Sequence, residues 1–271
     1  MRLSALALMC GIAFAQEPLP PAKLPADAPA GPVVLENSGK PMLLPFQCTE
    51  EDIQLSGLTC SEDDPCPIYL ELAAVDSPSD RIFLAGNLHT AAVTVFSTLL
   101  ASEDGGHTWR EAHERIRGAA LDRIQFLNAE TGWIAGEQVS PLPQDPFLLL
   151  TSDGGKTWRS RPIFSETADN RFGAIQQFFF TAKDSGSLII DRGQGSDGDR
   201  YELYESQDGG ESWNFKQSST KPLSLKRAIS PSADYRLRVD SRTQAFHVEH
   251  RELTRWADIA SYAVKIGACK P

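Results

Sequence analysis

One eight-residue phrase occurs three times in this chain: Ser102-x-Asp104-x-Gly106-x-Thr108-Trp109, Thr151-x-Asp153-x-Gly155-x-Thr157-Trp158 and Ser206-x-Asp208-x-Gly210-x-Ser212-Trp213. A phrase returning at a near-regular interval restricts the chain to folds assembled from copies of one unit. The residue types are those of a tight turn. A short carboxylate accepts backbone N–H groups, glycine tolerates positive φ, and an indole anchors a hairpin. We therefore read Asp104, Asp153 and Asp208, with Trp109, Trp158 and Trp213, as structural.

The spacing defines the unit. Asp104 and Asp153 are 49 residues apart, and Asp153 and Asp208 are 55 apart, the excess matching the Gly/Asp-rich run Arg192–Arg200. Ahead of each phrase lies a short apolar run, Arg81–Gly86, Gly132–Gly136 and Gly186–Asp191. Ahead of two of those lies another, Ile124–Phe126 and Gln177–Phe180. Each reads as a strand. The unit is then strand a, strand b, strand c ending at the phrase, and strand d beginning near its Trp. Four antiparallel strands in about 50 residues make a propeller blade. Residues 68–271 number 204, room for about four units. The fold class is all-β, a small β-propeller of about four four-stranded antiparallel blades, five being the alternative. The runs 223–229, 235–239, 245–248 and 259–266 predict a last blade without the phrase.

Before the repeats come three segments. Residues 1–15 carry Arg2, an apolar run and Ala13-Phe14-Ala15, the pattern of a secretory signal cut before Gln16. Lipid attachment at Cys10 competes, and the bulky Leu8-Met9 ahead of it counts against that. Residues 16–32 are proline-rich and read as a tether. Residues 33–67 form a cysteine-containing lead-in. No apolar run is long enough for a confident membrane span. The product is expected to be secreted or periplasmic. Removing residues 1–15 shifts the formal charge from −10 to −11, which disfavours nucleic acid as a partner. Cys48, Cys60, Cys66 and Cys269 then remain, an even number that suggests two disulfides in an oxidising compartment. Four cysteines allow three pairings; Cys60 with Cys66 and Cys48 with Cys269 is the one expected.

The phrase resembles the Asp-box, or bacterial neuraminidase repeat, at every defined position. Together with Gly132-Trp133-x-x-Gly136 about twenty residues before the second phrase, it is similar to the photosystem II stability/assembly factor-like and sortilin-type propellers over residues 80–213. That resemblance implies a scaffold presenting loops to a partner. Sialidases are a more distant resemblance and would imply an enzyme. Their six blades would leave 34 residues each, their Arg-Ile-Pro signature is missing, and Tyr201, Glu202 and Tyr204 fall on a strand rather than forming a nucleophile pair.

Other chemistry is weakly marked. His247 and His250, three apart on a strand, face opposite sides and cannot share one ion. The acidic run Glu62–Asp64 lacks the ligand alternation of a calcium loop. We expect no metal and no cofactor. In an a-b-c-d meander the repeat turns share one end with the a–b turns, and the b–c and d–a connections gather at the other. Binding is expected there, where Asn87 and His89, His113 and Arg115, Gln144 and Asp145, Arg171 and Phe172, and Arg192 and Arg200 lie. The candidate binding residues are Asn87, His113, Arg115, Arg171, Arg192 and Arg200, with no catalytic residue assigned. The expected function is an exported, monomeric, non-catalytic scaffold for a protein or glycan partner. A sialidase-like glycoside hydrolase or carbohydrate-binding module is the alternative.

Overall fold

The structure, a computed structural model, describes residues 33–139, 145–164, 173–193, 198–225 and 234–270. The signal and tether segments lie outside them. In chain order the lead-in holds strand β1 (Val34–Glu36) and helix α1 (Glu50–Leu55). The first sheet follows with β2 (Cys66–Asp76), β3 (Ile82–His89), β4 (Thr94–Ser102) and β5 (Thr108–Glu111). The second has β6 (Ala119–Phe126), β7 (Gly132–Gln138), β8 (Asp145–Thr151) and β9 (Arg159–Pro162). The third has β10 (Ala174–Phe180), β11 (Gly186–Asp191), β12 (Tyr201–Ser206) and β13 (Asn214–Ser219). The chain closes with β14 (Tyr235–Asp240), β15 (Ala245–Glu252), β16 (Arg255–Ala263) and β17 (Lys265–Cys269).

The second and third sheets are four-stranded antiparallel meanders, and the chain is a small, almost all-β propeller. Two sheets depart from the expected four strands. The first is six-stranded, in the order β1-β5-β4-β3-β2-β17, because the lead-in adds β1 to the outer edge and the C-terminus adds β17 to β2. The last shows β14, β15 and β16 among the described residues. The run expected as one strand over 259–266 is divided between β16 and β17, which belong to different sheets. The lead-in strand β1 and the last strand β17 thus both complete the first sheet, and the pairing Cys269↔Cys66 sets β17 against the start of β2. Disulfides Cys48–Cys269 and Cys60–Cys66, with Cα–Cα separations of 5.0 and 5.3 Å, fix this closure.

Helix α1 was not anticipated. Its signal is local: Thr49 caps the Asp52 N–H while the Asp52 carboxylate accepts from the Thr49 N–H, a reciprocal capping box.

Three apolar clusters form the core. One joins the first and last sheets with Met42 and Leu44 of the lead-in; the second joins the first and second sheets, and the third the second and third. Strands a are bulged at one equivalent point, next to Leu72, Leu121 and Ile175. Opposite two of these bulges lie Gly86 and Gly136, where a Cβ would come within 2.2 Å of Glu71 O and 2.5 Å of Ala120 O. Only glycine fits so close an approach.

Neighbouring sheets are also clasped by polar groups at one repeating position. Asp76 Oδ2 accepts the Phe126 N–H at 2.6 Å. One unit later Gln125 exchanges two hydrogen bonds with the Phe180 backbone, at 2.8 and 2.9 Å. The next equivalent residue is Phe179, whose side chain cannot form such a bond; from the third sheet Gln177 Oε1 instead accepts the Leu225 N–H at 3.1 Å.

Candidate functional site

The three repeat turns share one hydrogen-bond pattern. In the first, Ser102 Oγ accepts from Gly106 N and donates to Asp104 Oδ1, both at 2.8 Å. Asp104 accepts the Thr108 N–H at 2.8 Å and the Thr108 hydroxyl at 2.6 Å. Thr151, Asp153 and Thr157 repeat the pattern, as do Ser206, Asp208 and Ser212. Both glycines of each turn have positive φ, between 71° and 94°. The Thr108 hydrogen bonds hold Asp104 ionised, its pKa lowered to about 2. For Asp153 burial pushes upward and is outweighed by hydrogen bonds from Thr157, Thr151 and Lys156, giving about 2 as well. Asp208 is lowered against burial by Ser212 and Ser206. These carboxylates are saturated by their own turns and have little capacity left for a ligand.

Each turn also meets the preceding sheet. Gly155 packs on Phe83 and Gly210 on Leu148, while the Trp133 indole N–H donates to Gly209 O at 2.8 Å. Phe83 and Trp133 occupy the same position in strand b of successive units, and the third unit has Ser187 there. An aromatic is present in strand b where the next unit has a repeat turn to meet it, and a small residue where the next unit has none.

Between sheets, at this end, lie two related grooves. The larger, about 650 Å³, separates the second and third sheets and is lined by Trp133, Leu150, Ser152, Trp158, Lys183 and Asp184 among others. The smaller, about 430 Å³, separates the first and second and is lined by Arg81, Phe83, Glu103, Arg110 and Lys156. Arg81 crosses the smaller one, donating to Gly154 O at 2.5 Å and pairing with Glu103 at 3.4 Å. The equivalent residues in the larger groove are Thr131 and Ser152. Its outer wall is an ion pair in which Arg159 and Arg161 both engage Glu211.

The opposite end holds the residues expected to bind. Asn87 is buried at 3% exposure, and its Oδ1 accepts the Leu121 N–H at 2.8 Å, tying the first sheet to the second. His113 is half-buried, with Nδ1 on Glu114 O. Arg115 pairs with Glu111 at 2.6 Å, donates to Pro45 O at 2.8 Å and lies over the Phe46 ring. Arg192 faces Glu202 at 3.7 Å, and Arg200 makes two bonds to Asp191 at 2.6 and 2.7 Å. Arg171, with Gln144 and Phe172, lies outside the described residues. The Arg192 and Arg200 backbones are bonded to each other, so these two share one hairpin. Among the described residues no hydrogen bond joins that hairpin to Asn87 or to the His113–Arg115 segment. Three local structures result.

Sequence reasoning missed the carboxylates of this region. Asp122, the bulged residue of β6, is raised chiefly by burial, against an Asn87 hydrogen bond and with Glu71 adding repulsion. Glu137 is pushed up to about 7 by burial and by Asp122. The pair therefore combines a carboxyl half-protonated near neutrality with a second acidic group, an arrangement able to hold and release a proton. A signal was available in Glu137, a lone acid at the end of the apolar run from Gly132. Among the described residues no group of three or more His, Cys, Asp or Glu is placed to hold a metal ion, and no helix is long and apolar enough to cross a membrane.

No family model matches this chain. It is 27% identical over 172 residues to Photosystem II stability/assembly factor HCF136, chloroplastic, of Arabidopsis thaliana, covering 62% of this chain and 36% of the relative. The chain thus spans about a third of the relative's length. Among solved structures it is similar to the GH74 xyloglucanase from Xanthomonas campestris, at 20% identity and TM-score 0.36 over 55% of this chain and 21% of that one. An α-L-arabinanase from Penicillium chrysogenum matches at 12% identity and TM-score 0.36, over 84% and 66% respectively. These structural likenesses concern strand architecture alone.

Proposed function

We propose that this protein is an exported, non-catalytic propeller that binds or assembles a protein or glycan partner. The observation that carries this reading is the 172-residue stretch over which the chain is 27% identical to a protein named as an assembly factor. The loop-end geometry supports it. Asn87, Arg115, Arg192 and Arg200 are each engaged by structural partners, leaving a shaped surface rather than a converging catalytic set. Two disulfides fit an extracytoplasmic location.

A second reading, a glycoside hydrolase, is favoured by one feature: Glu137 and Asp122 with their raised pKa values. In that chemistry one carboxylic acid protonates the leaving oxygen while the other acts as nucleophile or base. The two readings separate in one assay. The purified chain is offered a panel of aryl glycosides including sialosides, alongside Glu137→Gln. We expect no turnover by either; turnover lost in Glu137→Gln would overturn the scaffold reading. In parallel, photo-crosslinking from His113 in the extracytoplasmic fraction should yield one discrete adduct.

A further inference from the structure

The two inter-sheet grooves are built from equivalent residues, yet one is bridged and narrower and the other open. In the bridged groove Arg81 reaches across to Gly154 O and is held by Glu103, which also binds Arg110 at 2.6 Å. In the open groove the positions of Arg81 and Glu103 are taken by Thr131 and Ser152, and the bond to the facing turn is made instead by the Trp133 indole, lying deep in the wall. Two long charged side chains are thereby replaced by two short hydroxyl side chains. The volume rises from about 430 to about 650 Å³; both lie within the range of small-molecule sites, and only the larger is free of the charged bridge.

The lining shows what the space can take. The apolar floor it offers is Trp158 and Leu150, both half-buried, with Trp133 almost wholly buried behind them and its face covered by Phe180. Its rim carries the hydroxyls of Thr131 and Ser152, the Lys183 ammonium and the Asp184 carboxylate. The wall carries three anions, Asp184, Asp208 and Glu211, against Arg159 and Lys183, and Arg161 also engages Glu211 from outside the lining. Counted together the positive and negative groups balance, so the groove has no strong net sign with which to choose an ion. A purely apolar occupant would strip water from these hydroxyl and charged groups and give nothing back. A ring with an apolar face and a hydroxyl edge satisfies floor and rim together, because each hydroxyl both donates and accepts.

We propose that the groove between the second and third sheets, at the repeat-turn end, binds a short neutral oligosaccharide. This rests on the reading of the chain as a binding scaffold, and it places the glycan at the end opposite the loops first expected to bind.

The test is titration of the full chain with cellotriose, xylotriose, maltotriose and chitotriose, followed by calorimetry and tryptophan fluorescence, with sialyllactose and a polar tripeptide as comparators. We expect at least one neutral trisaccharide to bind and to perturb the indole emission. The double variant Thr131→Arg/Ser152→Glu rebuilds the bridge of the sister groove and should weaken that binding about tenfold or more. Should that variant fail to fold, Lys183→Ala/Asp184→Ala on the exposed turn should weaken the same binding with unchanged melting. Absence of binding by all four, binding only of a comparator, or full affinity in the bridged variant would each overturn the assignment. Loss of the groove would leave the His113 crosslinking adduct intact, whereas cleavage of the bound trisaccharide would sink the non-catalytic reading and keep the groove.

Discussion

Trp133 lies flat on Phe180 across the boundary between the second and third sheets, with ring centroids 3.8 Å apart and planes within 2° of parallel. The same indole donates to Gly209 O, so one side chain welds a strand, the next strand a and the next repeat turn. Trp133→Phe keeps an aromatic face and leaves Gly209 O without this donor, at a cost of about 1 kcal/mol. Trp133→Ala also opens a cavity and should cost about 3–5 kcal/mol. Urea unfolding of both variants checks the ranking; equal losses would mean that the stack contributes nothing beyond the hydrogen bond.

The repeat aspartates should make the protein acid-sensitive. Asp104 and Asp153 titrate near 2 in the folded state against an ordinary value of 3.8, so the folded state holds fewer protons than the unfolded chain in that interval. The stability they contribute is complete above the unfolded value and is lost as pH falls through the folded one. Melting temperature measured from pH 5 down to pH 2 should fall, and Asp153→Asn should flatten part of that slope. Asp153→Ala at pH 7 should cost about 1 kcal/mol, as loss of a turn cap does. Unchanged melting in both variants would remove the carboxylate from the stability argument.

The two disulfides should differ in weight. Cys48–Cys269 closes a separation of 221 residues and Cys60–Cys66 one of 6. In the chain-entropy account these closures stabilise by about 5 and about 2 kcal/mol. Cys48→Ser/Cys269→Ser should therefore lower the urea midpoint more than Cys60→Ser/Cys66→Ser. The reverse order would show that the small loop, which ends where β2 begins, does more than restrict the unfolded chain.

Much of this architecture is legible in the chain because the signals are local. The repeat phrase marks each c–d turn, the apolar runs mark strands b, and the even cysteine count anticipates two bridges. What is not legible depends on residues from different units meeting. That Thr131 and Ser152 leave open a space which Arg81 and Glu103 bridge and narrow elsewhere becomes visible only when strands and turns are superimposed unit on unit. Asn87 shows the converse. A polar residue near a strand end reads as a surface ligand, yet its amide is buried to meet the Leu121 N–H. The division of 259–266 into β16 and β17 was likewise hidden, since both halves have strand composition and only ring closure separates them.

Glu137 provides a pH dependence of the opposite sign. Burial and the neighbouring Asp122 raise it from 4.5 to about 7, so between those values the folded state holds more protons than the unfolded chain. Stability then falls as pH rises from about 4.5 through about 7, the reverse of the aspartate effect. Glu137→Gln removes the ionisation while keeping the shape, so it should melt higher than the parent at pH 8 and nearly equal to it at pH 4.5. A carboxyl resonance of Glu137 followed by carbon NMR should titrate with a midpoint near 7, and Asp122→Asn should lower that midpoint by removing its charged neighbour. A midpoint in the ordinary glutamate range would mean that the carboxylate is fully compensated in the folded protein, and with it would go the proton-holding role that the hydrolase reading requires.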